Sequence, residues 1–541
     1  MPKLFHHLVQ AAQQQYPQHI ALEHKTQQVN YNKLQQQIEQ LCYKLLALGV
    51  SVQENQPDRV AIYLGQRIEA VISFFAISAS GGIFVPINPH LKSKQIEHII
   101  SDCLPKILIT SSQRYMQLQE NPNILDNFEH IILLDPIKIN HHKENNSAII
   151  HLWPELMQSA CEKNIYDSTI MSDTDSVAIL YTSGSTGKAK GVELSHKNLV
   201  CGAKSVAGYL NNNHQDKLLA VLPFSFDYGL SQLTSAFYSG ATIVLLEYLL
   251  PRDVIKAVIK YQITGLAGVP PLWIQLGRLN WPDEAKQTLR YFTSSGGIMP
   301  KKTLQQLRQS LPDSLPYLMY GLTEAFRSTY LQPQLIDEYP DSIGKAIPNT
   351  QILLVNKKGK LSKQGEVGEL VHCGPLVAKG YWNNIEASAK VFRPVNHLLD
   401  TADKSESAAI EYAVWSGDRV KQDKQGLLYF VERGDAMIKS SGYRISPTEV
   451  EEIFLQHELI INAVAIGVPH PDLGQAIVLV CNVAKNISAK EIMLFIKHDL
   501  PNFMCPKDII IESTLPQTAN GKIDRQLLSA RYKQIYSSPT N

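Results

Sequence analysis

"YTSGSTGKAKGVELSHKNL", residues 181–199, follows the apolar run "VAIL" and leads into a segment that Ser195 is placed to cap as a helix. Gly184 and Gly187 let backbone amides approach a ligand closely. Thr182, Ser183, Ser185 and Thr186 add hydroxyls, and Lys188 and Lys190 add positive charge. Such a set suits an anionic phosphate chain. A Walker A loop needs glycine five residues before its Gly-Lys pair and Ser or Thr after it. Here Thr182 holds the first of those places and Ala189 the last, so that pattern fails. A plain Gly/Ser turn is the competing reading, but such a turn rarely gathers glycines, hydroxyls and lysines directly after a buried strand.

Outward from this loop, short β-rich runs alternate with amphipathic helical stretches. "DRVAIYL", "HIILL", "SVAILY", "ATIVLLE" and "ITGLAGV" are strand-like, which predicts an α/β architecture with mostly parallel sheets flanked by helices. With 541 residues the chain exceeds a single core. Its 19% charged and 44% hydrophobic residues are an ordinary globular balance. A formal net charge of +1 gives no field for nucleic acid or anionic lipid, so neither is expected as a partner. The cysteines Cys42, Cys103, Cys161, Cys201, Cys373, Cys481 and Cys505 are scattered without a CxxC pair, which fits reduced thiols. The start lacks a basic segment followed by an apolar core, and the longest apolar run, 70–85, contains "SGG" and reads as a buried helix plus strand. A soluble, cytoplasmic protein without a membrane span is therefore expected. The Gln-rich stretch 10–40 reads as solvated helix faces, and the polar segments 141–147 and 400–407 as surface loops.

A second unit is expected from Asp435, so that the chain divides into 1–434 and a compact α+β domain at 435–541. "SPTEVEEIFLQH" offers Ser446 as a cap, Pro447 at the first helical position and Glu449 to complete a capping box. "SAKEIMLFIKHDL" repeats the device with Ser488 and Glu491, and "NAVAIGV" and "AIVLVCNV" between them read as strands.

The loop resembles the signature of the adenylate-forming superfamily: acyl-CoA synthetases, peptide-synthetase adenylation domains and luciferases. The resemblance covers nearly the whole chain, because further motifs stand in the family's order. They are "SASGGIFVPINP" (78–89), "SSGGIMP" (294–300, with Gly297), "YGLTE" (320–324), "GEVGELVHCGPLVAKGYW" (365–382), "WSGDRV" (415–420), "ERGDAMIKSSGYRISPTEVE" (432–451), "LPNFMCP" (500–506) and "LPQTANGKIDR" (515–525). Ala189 replaces a usual proline, and Trp415 and Ser416 replace a more usual Tyr and Thr. Within the family, "DAMIKSSGYRISPTEVEE" and "GLAGVPPLWIQL" look most like a bacterial acyl-CoA ligase subfamily associated with exosortase A gene clusters.

The resemblance implies attack of a carboxylate on the α-phosphorus of ATP, then displacement of AMP by a thiol of CoA or of a carrier protein's phosphopantetheine. It gives Tyr320 to adenine, Gly297 and Gly321 to the ATP/AMP site, Thr323 to the α-phosphate, and Glu324 to Mg²⁺, a cation that prefers carboxylate and phosphate oxygens. Asp418 presents two acceptors to the ribose hydroxyls, with Arg433 near ribose and phosphate. Lys522 bridges carboxylate and α-phosphate from the small domain, a point charge on a flexible stem. Asp435 is the implied hinge about which that domain is mobile, and Lys439 and Gly442 face the site in the second half-reaction, where Gly442 leaves room for the thiol arm.

"LPFSFDYGL" (222–230) is implied to line the acyl pocket, with Gly268, Ser294 and Met319. Fatty and aryl acyl-CoA ligases carry His and an apolar residue where Phe226 and Asp227 stand, whereas amino-acid-activating domains carry Phe-Asp and bind the α-amine through the aspartate. Asp227 is therefore either an amine-binding group or a structural carboxylate that meets amides and caps a helix. The leading expectation is an AMP-forming acyl-CoA ligase. The alternative is amino-acid activation for a carrier on a separate chain, since no "GGxS" segment follows Arg525. A non-catalytic scaffold would have lost motif residues that stand here, and a luciferase-like oxygenase would share the first half-reaction.

Overall fold

A computed structural model of the chain describes residues 2–50, 57–136, 148–159, 171–183, 188–398, 412–433, 437–457, 459–484, 487–496, 499–516 and 523–537. The two expected polar loops, the hinge residue Asp435 and the boundary at 434/435 lie outside them.

Among the described residues the strands form three sheets. In the first, Leu315–Tyr320, Tyr291–Ser294, Gly265–Gly268, Lys217–Ala220, Thr242–Leu245 and Ile20–His24 lie side by side and parallel. In the second, Ser176–Ser183, Ile83–Pro86, Arg59–Tyr63, Ile107–Thr110, His130–Leu133 and Ile149–Leu152 do the same. Strands such as "TIVL", "ILIT" and "IFVP" are buried along their whole length, because a parallel sheet covered on both faces needs unbroken apolar runs. The helix Ile68–Ala79 is apolar almost all round, so no face of it can meet water. Phe75 stacks on Phe5 at 4.4 Å and meets Phe237 of the helix Asp227–Ser239 at 5.3 Å, while Phe74 reaches Phe84 of the second sheet at 5.1 Å. These rings join the two sheets across a shared helical layer.

The first sheet continues into an antiparallel β-subdomain made of Ser342–Ala346, Leu428–Arg433, Tyr412–Gln422, Gly368–Cys373 and Gln351–Val355. The smaller C-terminal domain has its own sheet. Ile460–His470 and Gly474–Val483 pair antiparallel, and the other edge of Gly474–Val483 takes the hairpin Ile438–Ser440/Tyr443–Ile445 at its start and the parallel strand Asp508–Ile511 further along. Lys94 Nζ lies 3.4 Å from Asp499 Oδ2, and Arg278 pairs with Asp472, so charged side chains of the two domains meet at their rim.

The expected strands and the Ser195 cap are present: Ser195 accepts from the Asn198 amide at 3.2 Å. The two small-domain capping boxes differ. Ser488 accepts from the Glu491 amide at 3.3 Å, and the Glu491 carboxylate accepts from the Ser488 amide at 2.8 Å. At Pro447–Phe454 the box does not form. Ser446 is wholly buried where the helix leaves the strand Tyr443–Ile445, and its hydroxyl makes no hydrogen bond among the described residues. Glu449, without the Ser446 partner, is pushed up to about 8 by burial and by Glu452.

The two serines therefore predict opposite outcomes in urea unfolding of the small domain. Ser488→Ala is expected to cost about 1 kcal/mol. Ser446→Ala, which removes a buried unpaired hydroxyl, is expected to be neutral or mildly stabilising. Equal losses at both positions would contradict the structure.

Candidate active site

In open parallel sheets ligands bind beyond the carboxyl ends of the strands. The ladder pairs Gly268 with Ser294 and Ser294 with Leu318, so those ends fall together and bring Gly268, Ser294, Met319 and Tyr320 to one edge. Gly268 admits no side chain, since a Cβ there would stand 2.9 Å from Trp273 Nε1. That indole nitrogen donates to the carbonyls of Gly268 and Thr293, both at 3.0 Å.

The signature segment is a β-hairpin. Ser176–Ser183 pairs antiparallel with Ala189–Ser195, a return strand between loop and helix that the sequence reading did not include. Thr182 faces Lys190 in the ladder, and Ser183 faces Ala189. Gly184, Ser185, Thr186, Gly187 and the Ser183 side chain lie outside the described residues. Lys188 is exposed. Lys190 turns inward, its Nζ 5.2 Å from the centre of the Tyr381 ring. Burial lowers its pKa, Glu324 opposes that, and Arg444 of the small domain adds to it.

After Tyr320 the chain makes a tight turn, Thr323–Ala325, that buries Thr323 and Glu324. Tyr381 donates to Glu324 Oε1 at 2.7 Å. Tyr320 donates to Asp418 Oδ2 at 2.6 Å, and Asp418 sits opposite Arg433 in the β-subdomain ladder. The Arg433 side chain and Lys522 lie outside the described residues. Among the described residues no cluster of three or more His, Cys, Asp or Glu could cage a metal. The buried carboxylate of Glu324 suits a cation that completes its shell with phosphate and water.

Asp227 is the first residue of the helix Asp227–Ser239 rather than its cap, which is Phe226. It accepts from Thr323 Oγ1 at 3.3 Å. Arg327 Nη1 stands 3.8 Å from Asp227 Oδ2, both side chains buried. Burial pushes the Asp227 carboxyl up, with Arg327 and Thr323 pulling it back. Phe226 and Tyr228 line different spaces. Phe226 lines a cavity of about 570 Å³ with His90, Arg114, Glu247, Val269 and Gly442, whereas Tyr228 lines a small one beside Arg327 and Met319. At Gly442, φ is +83° and a Cβ would come within 2.8 Å of Val269. Lys439 lies behind the hairpin tip, its amide bound to Gln475 Oε1 at 2.8 Å. Gly297 and Gly321 both lie where a Cβ would be crowded, against Pro270 and Arg327 at 3.3 and 3.2 Å.

The family model described as "AMP-binding enzyme" matches residues 9–382, and "AMP-binding enzyme C-terminal domain" matches 449–522. The chain is a member of the AMP-binding enzyme family. This AMP-binding enzyme is 28% identical to tyrocidine synthase 3 of Brevibacillus parabrevis over 97% of its length, and it spans only 8% of that relative. It is 27% identical to a long-chain-fatty-acid–CoA ligase of Bacillus subtilis, covering 87% of this chain and 85% of the relative. Among solved structures it superposes on a double mutant of o-succinylbenzoate CoA synthetase from Bacillus subtilis bound to a product analogue. That pair has a TM-score of 0.81 and 25% identity, covering 96% of this chain and 97% of the other. The same synthetase with its acyl-adenylate intermediate gives a TM-score of 0.66 at the same identity and coverage.

The sequence reading of the AMP-binding enzyme did not single out Arg327 or Tyr381. Tyr381 stood inside a quoted motif. Arg327 stands three residues after Glu324 in "EAFRSTY", a charge in a stretch that the structure buries from Thr323 to Thr329. Tyr381→Phe is expected to lower kcat of adenylation about tenfold with the fold intact, because Glu324 loses a preorganised donor. Steady-state kinetics alongside a thermal melt check both halves; an unchanged kcat would count against the contact.

Proposed function

We propose that this enzyme is an AMP-forming acid–thiol ligase that activates a carboxylic acid with ATP and passes the acyl group to CoA. The observation that carries the proposal is the convergence of Tyr320, Thr323, Glu324, Lys190 and Asp418 at the carboxyl edge of the first sheet, with the small-domain hairpin laid over Val269. A carboxylate oxygen of the acid attacks the α-phosphorus and the bond to pyrophosphate breaks, so acyl-AMP and pyrophosphate form. No protein nucleophile is needed, so positioning and charge neutralisation supply the rate. Asp418 takes the ribose hydroxyls, Thr323 and Lys190 face the phosphates, and Lys522 and Arg433 complete the set. Mg²⁺ held by Glu324 would neutralise phosphate charge.

In the second step a thiolate attacks the acyl carbon, the acyl–oxygen bond breaks and AMP leaves. The hairpin at Gly442 and the 570 Å³ cavity beneath it favour a thiol arm entering from that side. The higher TM-score with the product-analogue complex than with the acyl-adenylate complex supports the same disposition of the small domain, with a swing about Asp435 for the first step. The peptide-synthetase relatives keep amino-acid activation in view, but the guanidinium beside Asp227 opposes a second cation there.

Hydroxylamine trapping of the acyl-adenylate and CoA-thiol consumption separate the two half-reactions. Lys522→Ala is expected to abolish trapping while ATP still binds. Gly442→Val is expected to spare trapping and slow thioester formation by roughly 100-fold, because its side chain collides with Val269. Equal loss of both steps in Gly442→Val would overturn the role of the hairpin.

A further inference from the structure

Arg327 is 2% exposed. A guanidinium keeps its charge at any ordinary pH and carries five N–H donors. Its position is fixed by the residue before it: Phe326 has φ +54°, costly for a bulky side chain, and its ring fills the slot at Gly202, where a Cβ would lie 2.5 Å from Phe326 Cδ1. The guanidinium lies 4.6 Å from the centre of the Tyr228 ring. The 3.8 Å to Asp227 is an ion-pair distance but too long for a hydrogen bond. Among the described residues Nε and Nη2 are buried with no hydrogen-bond partner, and Gln232 Oε1 is in the same condition. Arg327, Tyr228 and Gln232 line a cavity of about 20 Å³ that also touches Met319 and Thr293. That is room for one small polar group, since a single water needs roughly 10–15 Å³ by the same measure.

Buried unpaired donors of a charged group are costly, so a ligand that supplies an acceptor here gains more than one that does not. The charge of that acceptor follows from its neighbours. Asp227 already faces the guanidinium, and Glu324 is a second buried carboxylate that acts on Asp227, so a further anion meets repulsion and desolvation that the single cation does not offset. An ammonium meets Arg327 itself. A neutral oxygen meets neither penalty. The cavity is also too small for an alkyl tail or an aryl ring.

We infer that Arg327 is a specificity-determining residue and that the acid activated here is short and bears a neutral hydroxyl or carbonyl oxygen on its chain, received by the guanidinium donors beside Gln232. The inference rests on the adenylating reading above and narrows its substrate. Thr323, which bonds Asp227 on one side and belongs to the nucleotide-facing turn on the other, places this recognition next to the reacting carboxylate.

The experiment is ATP–pyrophosphate exchange by the full chain over chain-matched acids: butanoate and hexanoate, hydroxybutanoate and oxopentanoate, succinate, and aminobutanoate. Hydroxy or oxo acids are expected to exceed their alkyl counterparts in kcat/KM by roughly 100-fold or more, the scale on which a hydrogen-bonding site rejects an analogue lacking the group. Arg327→Lys keeps the charge beside Asp227 but loses the planar fork. It is expected to retain the fold in a thermal melt and to lose most of the preference. Asp227→Asn/Arg327→Met removes the charges together and is expected to erase the preference as well, which guards against failure of the single variant to fold. Equal use of alkyl and oxygenated acids, a win for succinate or aminobutanoate, or a preference that survives Arg327→Lys would overturn the inference while the adenylating reading stands. Absence of exchange with every acid would overturn that reading and the inference with it.

Discussion

Three carboxylates, Asp227, Glu324 and Asp418, are taken out of water in one cleft, and each is met by a hydroxyl: Thr323, Tyr381 and Tyr320 respectively. Burying an anion is tolerable only where donors stand ready for it. The need to supply those donors explains why the cleft draws on so many elements. Thr323 and Tyr320 come from the end of one parallel strand, Tyr381 from a short strand that pairs with the signature hairpin, and Asp418 from the β-subdomain. Each hydroxyl ties a different piece of the chain to the same edge of the first sheet, so the charge arrangement and the tertiary fold stand or fall together.

The division between what was legible in the sequence and what was not follows from distance along the chain. The parallel strands were readable because burial on both faces writes an unbroken apolar run. Tyr320, Thr323, Glu324 and Asp418 were readable because each sits in a contiguous motif. The pairings among them were not: Asp227 meets Thr323 across 96 residues, and Tyr320 meets Asp418 across 98. No local pattern encodes such contacts, so Thr323 and Arg327 come into view as the partners of Asp227 only in the folded chain. The return strand Ala189–Ser195 was missed for a different reason. In seven residues, "AKGVELS", it holds a glycine and two charges around a single Val-x-Leu pair, a weak strand signal that pairing with Ser176–Ser183 overrides. The Ser446 capping box failed for a third reason, since a box needs its hydroxyl at the helix entrance and burial turned this one inward.

The relation of Asp227 to Arg327 also bears on how this chain stands among its relatives. Phe-Asp at this place resembles amino-acid activation, and many curated relatives of similar identity are peptide synthases. A carboxylate already facing a guanidinium is a poor receptor for an ammonium, however well the neighbouring letters match. Motif identity at one position thus says less about the acid than the charge on the residue a turn away in space.

The hairpin of the signature loop carries one further consequence. Because Thr182 and Lys190 are ladder partners, the strands hold their β-carbons about 5 Å apart. The roots of a hydroxyl and an ammonium are thereby held like the jaws of a caliper, gauged when the chain folds.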